Sequence, residues 1–360
     1  ISGTSAGALN AVALASGWAQ ALVDKRDPAA GARACLANVW NKVMAMGVAS
    51  ESTARLTKLM IGALPGAMTR VSPYVANPLN VNPLRQLIEH EIDFELLAKL
   101  KSPRVFVAAT EVETGRARIF SGRRLTAEAV MASACLPQLF QAPEIDGKLY
   151  WDGGYSANPA LGPLVESGES SDILLVQINP LKRPGKPVSA AEISDRVSDL
   201  SFNASLIAQM RTIALVNTLV DRGLAREGFK PIHMHRIDGG DALAEMPAET
   251  KVASQRATLE KLFALGQDSA RRWLKRSYDA VGERGSVNLQ RDYGDPLKLE
   301  FEPVGEERAE ADLALTRFLW SPEERRRAAE AANAAALQAV RAAGGVAELR
   351  KTASDDVRRE

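Results

Sequence analysis

The sequence predicts an α/β fold with a central, mostly parallel sheet and a mainly helical C-terminal extension, on three observations. Two continuous apolar runs of strand length, Arg104 to Thr110 and Ile173 to Ile178, read as central strands covered on both faces. Stretches of helical periodicity separate them, the alternation that a parallel sheet with crossover helices requires. From about Ser189 onward the text is mostly helical.

The elements follow in chain order. Ile1 ends a strand that runs into a Gly-rich turn, and Ala6 to Ala21 is a helix rich in small residues, suited to close packing on a sheet. A second helix is expected over Gly31 to Met46, with Leu36, Val39, Trp40, Val43 and Met44 at helical spacing, and a third over Ser52 to Ala63. Residues 64–83 are Pro-punctuated yet apolar, which fits a loop packed on the domain or over an apolar site. Asn82-Pro83 then opens a helix as cap and first-turn proline. Glu144 to Trp151 reads as a hairpin turning at Asp146-Gly147, and it delivers Asp152-Gly153-Gly154 at the end of its returning strand. Ile232 to Ile237 alternates as a further strand. Ser189…Glu192 and Ser321-Pro322-Glu323-Glu324 both read as helix starts, the latter opening a long helix over 322–343 ahead of a charged tail after Gly344-Gly345.

Composition bounds the function. The 360 residues carry 45 Lys+Arg against 44 Asp+Glu, a net charge of +1, and this near-neutral balance argues against nucleic acid as a partner. Two cysteines, Cys35 and Cys135, are too few for a disulfide framework and stand in no metal-binding spacing. The sequence contains no uninterrupted run of about 18 apolar residues, so no transmembrane segment is expected. The composition excludes disorder and collagen.

Gly3-Thr4-Ser5-Ala6-Gly7 matches G-x-S-x-G, a strand-to-helix turn that holds a serine hydroxyl at a strained elbow. The turn leaves no room for side chains two residues before and after the serine, and the helix start offers backbone N–H groups to developing negative charge. A structural turn with an ordinary cap serine has the same local text. A nucleophilic serine needs a base. His90 lies in a charged helical stretch and reads as a solvated surface residue, while His233 and His235 sit two apart on one strand and read as structural. Asp152 stands at a strand end before two glycines, where it could also simply form an Asx turn.

The elbow Gly-Thr-Ser-Ala-Gly-Ala-Leu-Asn-Ala, the segment Ala132-Ser-Ala-Cys-Leu-Pro-Gln-Leu-Phe140 and the run Tyr150-Trp-Asp-Gly-Gly-Tyr-Ser-Ala-Asn-Pro159 together, in this order and spacing, resemble bacterial patatin-like phospholipases. The resemblance implies a three-layer patatin-like fold and a Ser–Asp dyad, with Ser5 as nucleophile and Asp152 as proton acceptor. It further implies hydrolysis of fatty-acyl esters through an acyl-serine in lipid catabolism, with an acyl lipid as substrate and no cofactor or metal. It covers residues 1–165 as the catalytic domain and extends loosely over 166–240 as remaining strands and helices, leaving 241–360 as a helical extension. Leu136, Leu139, Phe140, Tyr150 and Trp151 are plausible walls of an acyl pocket.

The resemblance also implies a strand and a Gly-rich oxyanion loop ahead of the elbow. No such loop precedes Gly3, so the chain is expected to be N-terminally truncated and weakly active, with the Ala6 N–H as an available oxyanion donor. A cytoplasmic location with peripheral membrane contact is the expectation from the family and the cysteine count. Two alternatives stand beside the dyad: an esterase with a Ser–Asp–His triad drawing on His233 or His235, and an inactive module that binds lipid or docks a partner.

Overall fold

A computed structural model describes residues 1–61, 72–80, 82–99, 103–137, 139–167, 170–183, 185–224, 229–246 and 256–294. The helix expected at 322–343, its cap at Ser321, the charged tail and residues 64–71 and 81 of the apolar loop lie outside the described residues.

Strand β1 (Ser2–Thr4) leads through Ser5 into helix α1 (Ala6–Val23), and α2 (Pro28–Ile61) returns against it. The small residues of α1 serve this contact. A Cβ at Gly17 would lie 2.3 Å from the Gly31 carbonyl oxygen, so the two backbones touch where no side chain fits. Where two helices were expected, α2 is continuous, because nothing stronger than Gly47 interrupts it and one glycine costs only about 1 kcal/mol in a helix. By length and composition alone α1, with 18 residues and a mean hydropathy of 1.3, is apolar enough to cross a membrane, a test that a buried core helix also passes. Half of it is buried inside the fold, where Ala8, Val12 and Ala15 face the core.

Helices α3 (Pro73–Ala76), α4 (Pro83–Glu91) and α5 (Phe94–Lys99) follow, with Asn82 capping α4 by accepting the Leu84 N–H. Then come β2 (Phe106–Glu111), β3 (Ala117–Phe120), α6 (Ala127–Ser133), β4 (Glu144–Ile145) and β5 (Lys148–Asp152). The β4–β5 hairpin turns through Asp146 and Gly147, both at positive φ, as an Asp-Gly hairpin turn requires. Strand β3, only four residues long, is too short to stand out in the sequence.

The second half comprises α7 (Gly162–Ser167), β6 (Asp172–Gln177), α8 (Ala190–Asp221), β7 (His233–Asp238), α9 (Gly240–Ala244), α10 (Arg256–Ser277) and α11 (Leu289–Tyr293). Both bonds of the capping box at Ser189 and Glu192 form at the start of α8. Strands β1 to β5 form one mixed sheet, in which β1 and β2 are parallel and β3, β4 and β5 pair antiparallel, and β6 and β7 form a separate two-stranded parallel sheet, so the architecture is α/β.

One apolar core lies between α1, β2, α4 and α6, and a second between β6, β7 and α8 with Tyr293 of α11. Packing shows no break at the expected boundary after residue 240. The compact unit runs from Ile1 to Gly294, and the Arg211 guanidinium of α8 donates to the Tyr293 carbonyl.

The register of β2 decides where the two candidate residues meet. Strand β3 pairs with Val107 to Thr110, which overlaps the β1 contact at 106–108 and the β5 contact at 109–111. Strand β3 therefore occupies one edge, and β1 and β5 share the other. They run in opposite senses along that edge, so their C-terminal ends meet at Ala108 and Ala109.

Candidate active site

Ser5 leaves the end of β1 and Asp152 ends β5, so this head-on arrangement brings Gly3 to Gly7 and Asp152 to Gly154 to one point of the sheet. Threonine hydroxyls fasten the junction. Thr4 Oγ1 donates to the Ala157 carbonyl at 2.7 Å, and Thr110 Oγ1 to the Asp152 carbonyl at 2.8 Å.

Ser5 has φ 56° and ψ −124°, a conformation that costs a non-glycine residue on the order of 1–3 kcal/mol and persists only where the surroundings impose it. Its side chain makes no capping bond to α1. The first N–H groups of α1 have no intrahelical acceptor, and Ala6 is exposed. Gly3 is required sterically, since a Cβ there would lie 2.1 Å from the Gly7 carbonyl oxygen. Gly7 is not: a Cβ there meets nothing within 4 Å. The expectation that the turn excludes side chains on both sides of the serine thus holds on one side only, because at position 7 the chain is already on the open face of the helix.

Asp152 is fully buried. Its Oδ1 accepts the Gly154 N–H at 2.7 Å, while Oδ2 has no hydrogen bond of normal geometry. Burial pushes its pKa up from 3.8 to about 6, and the nearby Ser5 hydroxyl and the Gly154 N–H hold it from rising further. The Asx turn with Gly154 and a nearby Ser5 therefore coexist at this residue. Gly153 is required for the approach, since a Cβ there would fall 2.1 Å from the Ala108 carbonyl oxygen. A Cβ at Gly154 would run into the Phe202 ring of α8.

Two residues with no expected role frame the pair. Ser133, fully buried at the end of α6, accepts the Ser5 N–H at 2.9 Å. Two residues on, the Cys135 carbonyl accepts the Asp152 N–H at 2.8 Å. The Cys135 thiol is pushed up to about 12 by burial and by the Asp152 charge, so it stays neutral and is no rival nucleophile. Helix α8 braces the loop beyond Asp152. Gln209 accepts the Leu161 N–H and donates to the Pro159 carbonyl, and Asn158 donates to the Phe202 carbonyl.

The other expected residues divide. Tyr150 is a core residue in edge contact with Phe120, with ring centroids 5.5 Å apart, and not a pocket wall, because strand alternation turns it inward. Leu136 and Phe140 are half-buried, and Leu139 and Trp151 are exposed. His90 is exposed. His235 is buried on β7, with Nε2 2.9 Å from Asp172 Oδ1 and Nδ1 3.0 Å from Ser286 Oγ. His233 lies 3.6 Å from the same Asp172, and neither histidine bonds to Ser5.

Two cavities of about 280 Å³ flank β7, one along Arg236, Trp273 and Arg276 and one along Asn217, His233 and Val287, and neither includes Ser5 or Asp152. Among the described residues no group of three His, Cys, Asp or Glu side chains is placed to hold a metal ion.

Residues 1–165 match the family model described as patatin-like phospholipase. No curated protein matches the chain.

Proposed function

From the patatin-like phospholipase domain that residues 1–165 carry, we propose that the chain is a serine acyl hydrolase that cleaves fatty-acyl esters with Ser5 as nucleophile and Asp152 as base. One observation carries this reading: a strained serine and a wholly buried carboxyl, each at the end of its own strand, lie together on one edge of β2.

The buried carboxyl is suited to the role. A carboxylate of ordinary pKa is a poor base for a hydroxyl, and a value near 6 brings Asp152 closer to the operating range without leaving it protonated at neutral pH. In the proposed cycle Ser5 Oγ attacks the ester carbonyl as Asp152 takes its proton. The Ala6 N–H faces the oxyanion. The tetrahedral adduct expels the alcohol, which leaves with the proton from Asp152, and an acyl-serine remains. Water then attacks that ester while Asp152 accepts its proton, and collapse returns the proton to Ser5 and frees the fatty acid. The open bond at Oδ2 fits a catalytic hydrogen bond that tightens when substrate is bound.

The test is labelling with a fluorophosphonate probe, peptide mass spectrometry, and a series of acyl esters as substrates. The expected result is a label on Ser5, absent in Ser5→Ala, with labelling and turnover strongly reduced in Asp152→Asn. Hydrolysis should survive His233→Ala with His235→Ala. A folded protein that takes no label and hydrolyses no ester overturns the reading.

A further inference from the structure

The last rung of the β1–β2 ladder is replaced by a side chain. In a parallel pair each residue bonds the neighbours on either side of its partner. Phe106 is the partner of Ser2, and its N–H donates to the Ile1 carbonyl at 2.9 Å. Two residues on, Ala108 is the partner of Thr4, and the same pattern requires the Ser5 N–H to donate to the Ala108 carbonyl. The Ser133 hydroxyl stands between them instead. It accepts the Ser5 N–H at 2.9 Å and donates its own proton to the Ala108 carbonyl at 2.6 Å.

This is unusual behaviour for a serine at the end of a helix, whose hydroxyl commonly bonds back to a carbonyl one turn earlier. Both partners of Ser133 are distant in sequence, and the side chain is fully buried. The same Ala108 carbonyl is the atom against which Gly153 packs. The hydroxyl thus spaces the elbow from β2 at the place where the backbone following Asp152 must also fit. Just past the end of α6 the Cys135 carbonyl holds the Asp152 N–H, so the short segment from Ser133 to Cys135 grips both members of the pair.

We propose that Ser133 is a positioning residue of this active site: its hydroxyl, inserted between the Ser5 amide and the Ala108 carbonyl, fixes the elbow so that Ser5 Oγ faces Asp152. The proposal rests on Ser5 being the nucleophile. The Ser133 bond also occupies the Ser5 N–H, which leaves the Ala6 N–H as the elbow's contribution to an oxyanion.

The experiment compares wild type with Ser133→Ala and with Ser133→Cys, a slightly larger side chain of the same shape that offers only a weak donor and acceptor. Thr126→Ala serves as the control. Thr126 Oγ1 caps the far end of the same α6 by accepting the Ala129 N–H, so its loss weakens the helix without touching Ser5. The readouts are fluorophosphonate labelling rate, kcat and KM on a soluble acyl ester, thermal midpoint, and hydrogen exchange of the Ser5 amide.

Ser133→Ala is expected to lower labelling rate and kcat by about tenfold to a hundredfold with little change in KM, since a misplaced reacting group costs rate and not binding. Ser133→Cys should fall between it and wild type, and the Ser5 amide should lose protection in the same order. Thr126→Ala should lower the thermal midpoint yet label at close to the wild-type rate. If wild type labels and Ser133→Ala labels equally fast, or if Thr126→Ala slows labelling as much, the positioning role is overturned while the hydrolase reading stands. If Ser133→Ala does not fold, equal labelling of Ser133→Cys and wild type overturns it in the same way. An unlabelled wild type overturns both.

Discussion

Ser5 and Asp152 are each held in a state that an isolated residue would avoid, and both states carry measurable consequences for stability. The folded Asp152 has its pKa raised from 3.8 to about 6, so the folded protein binds more protons than the unfolded chain between those values. Stability therefore falls as pH rises from about 4 to about 6, and the contribution then stays constant. The shift corresponds to about 2–3 kcal/mol at neutral pH. Asp152→Asn keeps an acceptor for the Gly154 N–H and removes the charge, so it should stabilise the fold at pH 7 by up to that amount while abolishing turnover. Urea unfolding at pH 7 and at pH 4 checks the sign, because the gain should vanish at the lower pH. The same carboxyl predicts that kcat/KM rises with pH through an apparent pKa near 6, and a pH–rate profile without that acidic limb would count against Asp152 as the base. Ser5 predicts a parallel trade. At φ 56° a glycine is relieved of strain, so Ser5→Gly should raise stability by about 1 kcal/mol while losing the label.

At the scale of elements, the legible parts of the chain were those written in local text. The Asp146-Gly147 turn, the Ser189 capping box, the Asn82 cap and the elbow each announce themselves through residues a few positions apart. The head-on meeting of β1 and β5 does not, because it follows from three strands competing for the two edges of β2, and β3 carries no strong pattern of its own. For the same reason the role of Ser133 is not visible in its local sequence, as its partners lie 128 and 25 residues away. The Gly17–Gly31 contact between α1 and α2 gives the prediction at this scale. Gly17→Val would put its Cβ 2.3 Å from the Gly31 carbonyl oxygen, so the helices must separate behind the elbow. The expected cost is about 1–3 kcal/mol, the range for overpacked cores, read as a lower urea midpoint with labelling retained in the fraction that stays folded.

For the whole molecule, the family match and the physical unit have different boundaries. The patatin-like match ends at residue 165, yet the compact unit continues to Gly294. The difference is not packaging around a finished domain. The residues beyond 165 include Phe202, whose ring lies against Gly154, and Gln209, which bonds both the Pro159 carbonyl and the Leu161 N–H. Leu161 itself belongs to the second core, whose other members come from β6, α8, β7 and α11. A chain cut at residue 165 would therefore lose the brace on the Asp152 loop and expose the one buried residue it contributes to that core. It should fail to yield a cooperative thermal transition or a labelled serine. Gln209→Leu in the full chain isolates the brace, because leucine preserves bulk on α8 but leaves the Leu161 N–H and the Pro159 carbonyl without their partner. Two such losses in a half-buried place cost about 1–3 kcal/mol each when unsatisfied. The expected outcome is a lower thermal midpoint together with slower labelling of Ser5, since the loop that follows Asp152 loosens while the elbow is untouched. Labelling at the wild-type rate in Gln209→Leu would mean that α8 supports the fold alone, and that the Asp152 loop is positioned entirely from within residues 1–165.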